Sequence, residues 1–320
     1  MRVNLFQVRQ GQFMKFRPFR QSVFALSLLI PVALCAVVLF LLIYSGQAIG
    51  YNGLHFLWQT NWNLGDLYAD PVVQQGVQVP PGANYGILVF IVGTLLSSLI
   101  AILIAVPLAV GAAIFLAEIV PARLRPLPAL LVELIAVVPS VVFGLWGIAV
   151  LIPFIAKFLS PDGNGYGLLA ASIVLALMIT PIIASTLLDA LLQVPKEHRE
   201  SAFALGATHF EVVYKAMLPM VRGTLIGGIV LALGRALGET MAVLMVSGGG
   251  LNILPHSIFS PISTIASFIA GQLDAAEADP TNMSVRALSE VALVLFVITL
   301  TVNFCAKLLS SGALSVRKRS

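Results

Sequence analysis

The chain has 320 residues, of which 59% are hydrophobic and 10% charged, with a formal net charge of +4 and a mean hydropathy of +0.99. A soluble domain carries about a quarter of its residues as charges, so a soluble enzyme, a secreted disulfide scaffold and a disordered chain are excluded. The composition is that of an integral membrane protein. Its two cysteines, Cys35 and Cys305, lie in apolar runs and read as membrane packing rather than as a disulfide or metal site.

A helix rises 1.5 Å per residue, so about 20 apolar residues cross roughly 30 Å of hydrocarbon. In chain order, such runs occupy residues 23–44, 87–116, 127–149, 168–192, 224–246 and 287–309. The expected fold class is all-α, a polytopic membrane protein with six transmembrane helices. Strands of an outer-membrane barrel would be about ten residues long and alternate apolar with polar, a pattern that does not occur. The first run exceeds the 7 to 15 residues or so of a signal peptide's apolar region and reads as an uncleaved anchor. The chain thus divides into a basic segment at 1–22, a membrane domain at 23–309 and a tail at 310–320.

Lys and Arg set the orientation. With both termini in the cytoplasm, fifteen of the eighteen face inward: five before the first span, Arg123 and Arg125, then Lys196, Arg199, Lys215 and Arg222, and four at the end. Only Lys157 and Arg286 face outward, and Arg235 falls within a span. The excess of positive charge is accounted for by the membrane, so membrane lipid is the expected surrounding and no nucleic acid is expected as a partner. The first external loop, 45–86, has no Lys or Arg but holds Trp58, Trp62, Asp66 and Asp70; it reads either as a contact for an external partner or as a solvated loop with interfacial tryptophans. The last external loop, 247–286, opens with three glycines and carries Asp274, Glu277 and Asp279, and reads as flexible and acidic.

An ionisable side chain at the centre of a span costs about 2.5 to 3.5 kcal/mol on insertion scales, so each needs a partner or a wet cavity. In the fifth run, Arg235 and Glu239 are four residues apart, and an unbroken helix puts them on one face where they can neutralise each other. Gly223, Gly227, Gly234 and Gly238 form a small-residue stripe about 100° away, expected to let a neighbouring backbone approach. An arginine at mid-depth suits an oxyanion, because its planar fork gives two hydrogen bonds and its charge survives burial. Glu133 and Glu290 read more blandly, as helix–helix or interface positions. Pro31, Pro107, Pro139 and Pro181 mark kinks.

No GxxxxGK[ST] loop, HExxH or GxSxG occurs, and the histidines are scattered, so no catalytic residue, cofactor or metal site is expected and ATP-driven work falls to another subunit. The 193–223 loop reads ESAFALGATHFEVVYKAMLP from Glu200 to Pro219. It resembles the EAA signature of bacterial ABC importer permeases: Glu200, Ser201 and Ala202 in place of EAA, then Gly206, then Leu218 and Pro219 at the family spacing. In that family the segment forms a coupling helix that docks on the ATPase. Glu133 to Gly147, Met178 to Ser185 and Gly227 to Val243 are similar to phosphate-importer permeases of the PstC type rather than their PstA paralogues.

The resemblance implies transport of inorganic phosphate across the bacterial inner membrane, with molybdate, sulfate or a secondary anion carrier as alternatives. It implies a substrate pathway containing Arg235 and Glu239, and Ser140 and Glu133 are the further candidates for that pathway. It also implies partners: a dimer of ATPase subunits, a second permease of the PstA type and an external phosphate-binding protein. ATP binding would close the ATPase pair and turn the permeases from inward to outward facing.

Overall fold

A computed structural model describes the backbone of residues 17–315 and the side chains of residues 21–308. Arg2, Arg9, Lys15 and Arg317, Lys318 and Arg319, which weigh in the orientation, lie outside the described residues, as do the side chains of Arg17 and Arg20. Among the described residues, six helices are long and apolar enough to cross a membrane.

The first helix, α1 (Arg17–Asn52), continues beyond the expected 23–44 at both ends and passes through Pro31. It is apolar on every side, and Leu26, Ile30 and Ile43 are exposed, the pattern of a helix that meets lipid. Cys35 on α1 and Cys305 on the last helix are free thiols, both exposed on the outer faces of membrane-length helices.

The centre is a seam between α2 (Leu88–Ile114) and α6 (Leu168–Leu192). Along α2, Ser97, Ala101, Ala105, Ala109 and Ala113 recur every fourth residue, and each is fully buried. Lipid tails are as apolar as leucine, so helices in a membrane adhere through close backbone approach, which this stripe permits. Gly93, one turn earlier, meets the backbone carbonyl of Ser263, and a Cβ there would collide with it. The limits of α6 agree with the run at 168–192, and Pro107 and Pro181 interrupt neither helix.

The third run differs from expectation. Instead of one helix over 127–149, the chain forms α3 (Pro126–Val137), an extended step at Val138 and Pro139, then α4 (Ser140–Trp146), a π turn at Gly147–Leu151 and α5 (Ile152–Phe158). The part long enough to cross is Ser140–Phe158. Pro139 has no N–H to continue the ladder and disfavours the helical conformation at Val138, whose ψ is 130°.

The fifth run is broken too. After α7 (Lys196–Ala204), the three-residue helix α8 (His209–Glu211) and a π turn at Val212–Met217, α9 (Leu218–Leu237) ends before Gly238, and α10 (Met241–Val246) resumes after Thr240. The last span is α12 (Met283–Ser315), preceded by α11 (Ile265–Glu277).

The end of the bundle opposite α7 carries an ordered cap. Strand β1 (Trp62–Asn63) pairs with β4 (Asn84–Tyr85), and β2 (Val72–Gln74) with β3 (Val77–Val79), both antiparallel. Trp62 is buried between Tyr85 and Phe268, with ring centroids 5.2 and 4.8 Å away, and Phe90 stacks on Phe268. Asn252 clamps Trp62, accepting its N–H at 2.6 Å and donating to its carbonyl at 3.1 Å. Only Trp58 fits the exposed, interfacial reading.

The expected flexible loop at 247–286 instead contains α11, started by a Thr264–Ser267 capping box. Asp279 is buried there; burial pushes its pKa up, but hydrogen bonds from Ser284 and Thr281 outweigh this and hold it below the ordinary value. Tyr85, whose hydroxyl is 3.2 Å from Ser284 Oγ, is pushed up to about 12 by burial.

Candidate functional site

Two places hold Arg235 and the EAA-like residues singled out by sequence: a cavity beside α9 and the hairpin that precedes it. The cavity holds about 810 Å³ and is lined by Gly227, Gly234 and Arg235 of α9, Ile182 of α6, and Thr299 and Asn303 of α12. Arg235 is exposed to it, and among the described residues its guanidinium has no ion pair or hydrogen bond. The small residues keep the space open: a Cβ at Gly227 would meet no atom within 4 Å, and one at Gly234 would meet only the Asn303 carboxamide, 3.6 Å away.

The stripe that packs inside the chain is therefore a different one. Gly228, Ala232 and Ala236 are the buried small residues, with Gly228 against Thr186 of α6. The glycines at 227 and 234 share the Arg235 cavity rather than pointing away from it, which corrects the expected separation of the two faces.

Glu239 does not sit one turn above Arg235. The helix stops at Leu237, and Glu239 lies in the break, where its carboxylate accepts the Ala242 N–H at 3.3 Å and satisfies one of the free donors that open α10. No Arg235–Glu239 ion pair occurs among the described residues. Glu133, on α3, lines a separate cavity of about 210 Å³ with Arg125, Ser185 and Asp189. Ser140 is the first residue of α4, next to the extended step at Pro139. The structure thus brings neither Glu133 nor Ser140 into the Arg235 cavity. Thr299 and Asn303 were missed by sequence reasoning; their signal is a pair of polar residues four apart, on one helical face, in a mainly apolar run.

The EAA-like segment is spread over three elements rather than one short helix. Glu200, Ser201 and Ala202 belong to α7, Gly206 to the turn after it, and Leu218 and Pro219 to the first turn of α9. Gly206 has φ +82°, a left-handed conformation that strains other residues, and closes α7 with Gly206 N–H and Ala207 N–H bonded to Phe203 and Ala202 carbonyls. Thr208 and Glu211 then form a capping box that starts α8. Glu200 and Ser201 are exposed and Ala202 is half-buried, while Leu205, Phe210 and Tyr214 leave a large apolar surface open.

Below the hairpin, α2 ends in a π turn at Phe115–Ile119 whose orphan carbonyls are taken by Arg125: Nε donates to Leu116 O at 2.8 Å, and Nη2 to Ala117 O at 2.8 Å. Glu118 in that turn is ion-paired to Arg199 of α7.

Among the described residues, six membrane-length helices, a mid-chain hairpin with exposed apolar residues and an arginine without an ion pair on a cavity define a multi-pass membrane protein. Residues 105–312 match the family described as "Binding-protein-dependent transport system inner membrane component", and the chain belongs to that family. It is 45% identical over 278 residues to the "Phosphate transport system permease protein PstC 1" of Mycobacterium tuberculosis, covering 81% of this chain and 82% of that one. It is 37% identical over 309 residues to the "Phosphate transport system permease protein PstC" of Pasteurella multocida, covering 91% and 90%. A bacterial alginate ABC transporter crystallised with its periplasmic protein has a similar fold, with a TM-score of 0.61 at 14% identity over 92% of this chain and 96% of that one. The inward-facing MetNI methionine ABC transporter follows at a TM-score of 0.51 and 20% identity, covering 69% and 91%. The protein is a transport permease subunit.

Proposed function

We propose that this chain is one permease subunit of an ATP-driven importer that passes inorganic phosphate into the cytoplasm. The observation that carries this reading is Arg235: a permanent charge on a membrane-length helix, without a partner among the described residues, opening onto a cavity large enough for a small oxyanion. A planar guanidinium gives a phosphate two hydrogen bonds, and the Thr299 hydroxyl and Asn303 amide lie on the same cavity to supplement them. The phosphate permeases among the relatives supply the substrate assignment. Glu239, at the helix break that follows Arg235, limits how tightly the anion is held, and Glu133 and Ser140, outside this cavity on the α3–α4 side, serve other stretches of the route.

In this reading the hairpin of Glu200, Ser201, Ala202 and Gly206 seats on one of two ATPase subunits, with Leu205 and Phe210 filling an apolar groove, and Leu218 and Pro219 lead the motion into α9. The open side of α9 meets a second permease of the PstA type, and the ordered cap receives an external phosphate-binding protein. Both termini are then cytoplasmic, and the chain lies in the inner membrane of a bacterium. Uptake of radiolabelled phosphate by cells dependent on this complex tests the reading. Arg235→Gln is expected to lower uptake by roughly two orders of magnitude, the scale of removing one charge from a buried pairing, with the complex still co-purifying. Normal uptake by an assembled Arg235→Gln complex, or competition by sulfate as strong as by phosphate, would overturn the assignment.

A further inference from the structure

The contact between α7 and the body of the protein is narrow. Of the nine residues of α7 only Arg199 and Ala202, three apart and hence on one face, are even half-buried, and none is fully buried. Ala202 touches the apolar cluster formed by the ends of α2, α6 and α9. Arg199 reaches further, donating through Nη2 to Glu118, with the same nitrogen 3.6 Å from the Met217 sulfur.

Glu118 is unusual for its place. Its side chain is 2% exposed, in the π turn that ends α2. Its second oxygen lies 3.8 Å from His209 Nε2, so groups from both arms of the hairpin converge on one carboxylate. A buried carboxylate with one cation removed is strongly destabilised, while an apolar pair of the same volume would pack at least as well. The ion pair is thus a costly way to glue two elements but a suitable way to keep them in one register. The π turn beneath it is itself held by Arg125, which fills its orphan carbonyls, so a pull on Glu118 reaches α2 as a unit. From there it passes into the alanine seam with α6.

Resting on the reading that the hairpin docks an ATPase, we propose that Glu118 is a positioning residue for coupling, the point through which displacement of α7 is passed to α2 and the α2–α6 core. Glu118→Gln keeps the shape and removes the charge. In a reconstituted complex of both permeases, the ATPase and the external binding protein, it is expected to leave ATP hydrolysis in place. Phosphate moved per ATP hydrolysed should fall by about tenfold or more, the scale of losing one partner of a buried charge pair.

The exchange Glu118→Arg with Arg199→Glu should recover part of that ratio. An unchanged ratio in assembled Glu118→Gln complexes would overturn the proposal, because a contact that only holds the fold would change the yield of complex and not its stoichiometry. Should Glu118→Gln fail to assemble, Arg199→Lys, which keeps the charge but loses the fork, takes its place. A normal ratio there, or failure of both variants to assemble, would also overturn it. Wild-type complex that hydrolyses ATP in response to the binding protein but moves no phosphate would sink the substrate assignment instead. The clamp would then be judged by whether Glu118→Gln alters that response.

Discussion

Helices α6 and α9 lie side by side, and they solve the same problem in opposite ways. The most apolar stretch of α6 is 67% buried within the chain, against 22% for the segment leading through α9. Helix α6 runs its 25 residues without a break although Pro181 removes one of its N–H groups, while α9 contains no proline past its first turn and stops at Gly238. A proline by itself therefore does not decide where a span breaks, since Pro139 ends α3 while Pro181 leaves α6 whole. What decides is whether another group takes over the backbone bonds that are lost: at the end of α9 a carboxylate on the chain itself, Glu239, bonds the Ala242 N–H. The tightly packed helix gives the protein its frame, and the open, interrupted one carries Arg235, which has no ion pair among the described residues.

That contrast can be broken most forcefully at the seam. Ala105→Leu puts three more carbons into a site with no exposed surface between α2 and α6. It should lower stability by about 1 to 3 kcal/mol, seen as a lower Tm in mild detergent; an unchanged Tm would mean that the seam is looser than its burial indicates. A smaller effect is expected at the break. Glu239→Ala removes the acceptor for the Ala242 N–H and should cost about 1 kcal/mol, with faster amide exchange at residues 240–244 while α6 is unaffected. Exchange that stays slow would mean that the break is held by something other than this carboxylate.

The mildest change sharpens the comparison from the open side. Gly227→Ala adds a methyl that meets no atom and relieves the backbone entropy cost of a helical glycine, so the chain by itself should gain roughly 0.5 to 1 kcal/mol. A loss of stability would show that α9 packs on this side within the chain. If the purified chain gains stability while the second permease co-purifies less well, the stripe is kept as glycine for the partner.

How far each feature was legible depends on the range of the interaction that sets it. The limits of α6 and the existence of six spans follow from apolar run length, which is a property of consecutive residues. The breaks at Val138–Pro139 and Gly238–Thr240 did not follow, because Pro31, Pro107, Pro139 and Pro181 look alike in sequence, and only their neighbours determine which helix continues. The reading of Arg235 and Glu239 as one helical face failed because the helix stops at Gly238, where no proline marks the break. In the cap, Gly248 to Gly250 suggested a flexible loop, yet Asn252 and the buried Asp279 anchor that segment to β1 and to the start of α12.

The class of the protein can be read along the chain. Composition demands a membrane, run length sets the number of spans, the Lys and Arg bias proposes an orientation, and the spacing from Glu200 to Pro219 marks the family. Packing in three dimensions sets which small residues are used: Gly228, Ala232 and Ala236 are buried while Gly227 and Gly234 stay open, and Thr299 and Asn303 share the cavity of Arg235. It also decided that Glu118 and Arg199, 81 residues apart, meet under the hairpin. Hydrophobicity and local motifs act along the chain and can be read from it in order. Register between helices in lipid is set by close contacts between residues far apart in sequence, and no local pattern specifies which of several small stripes will be used.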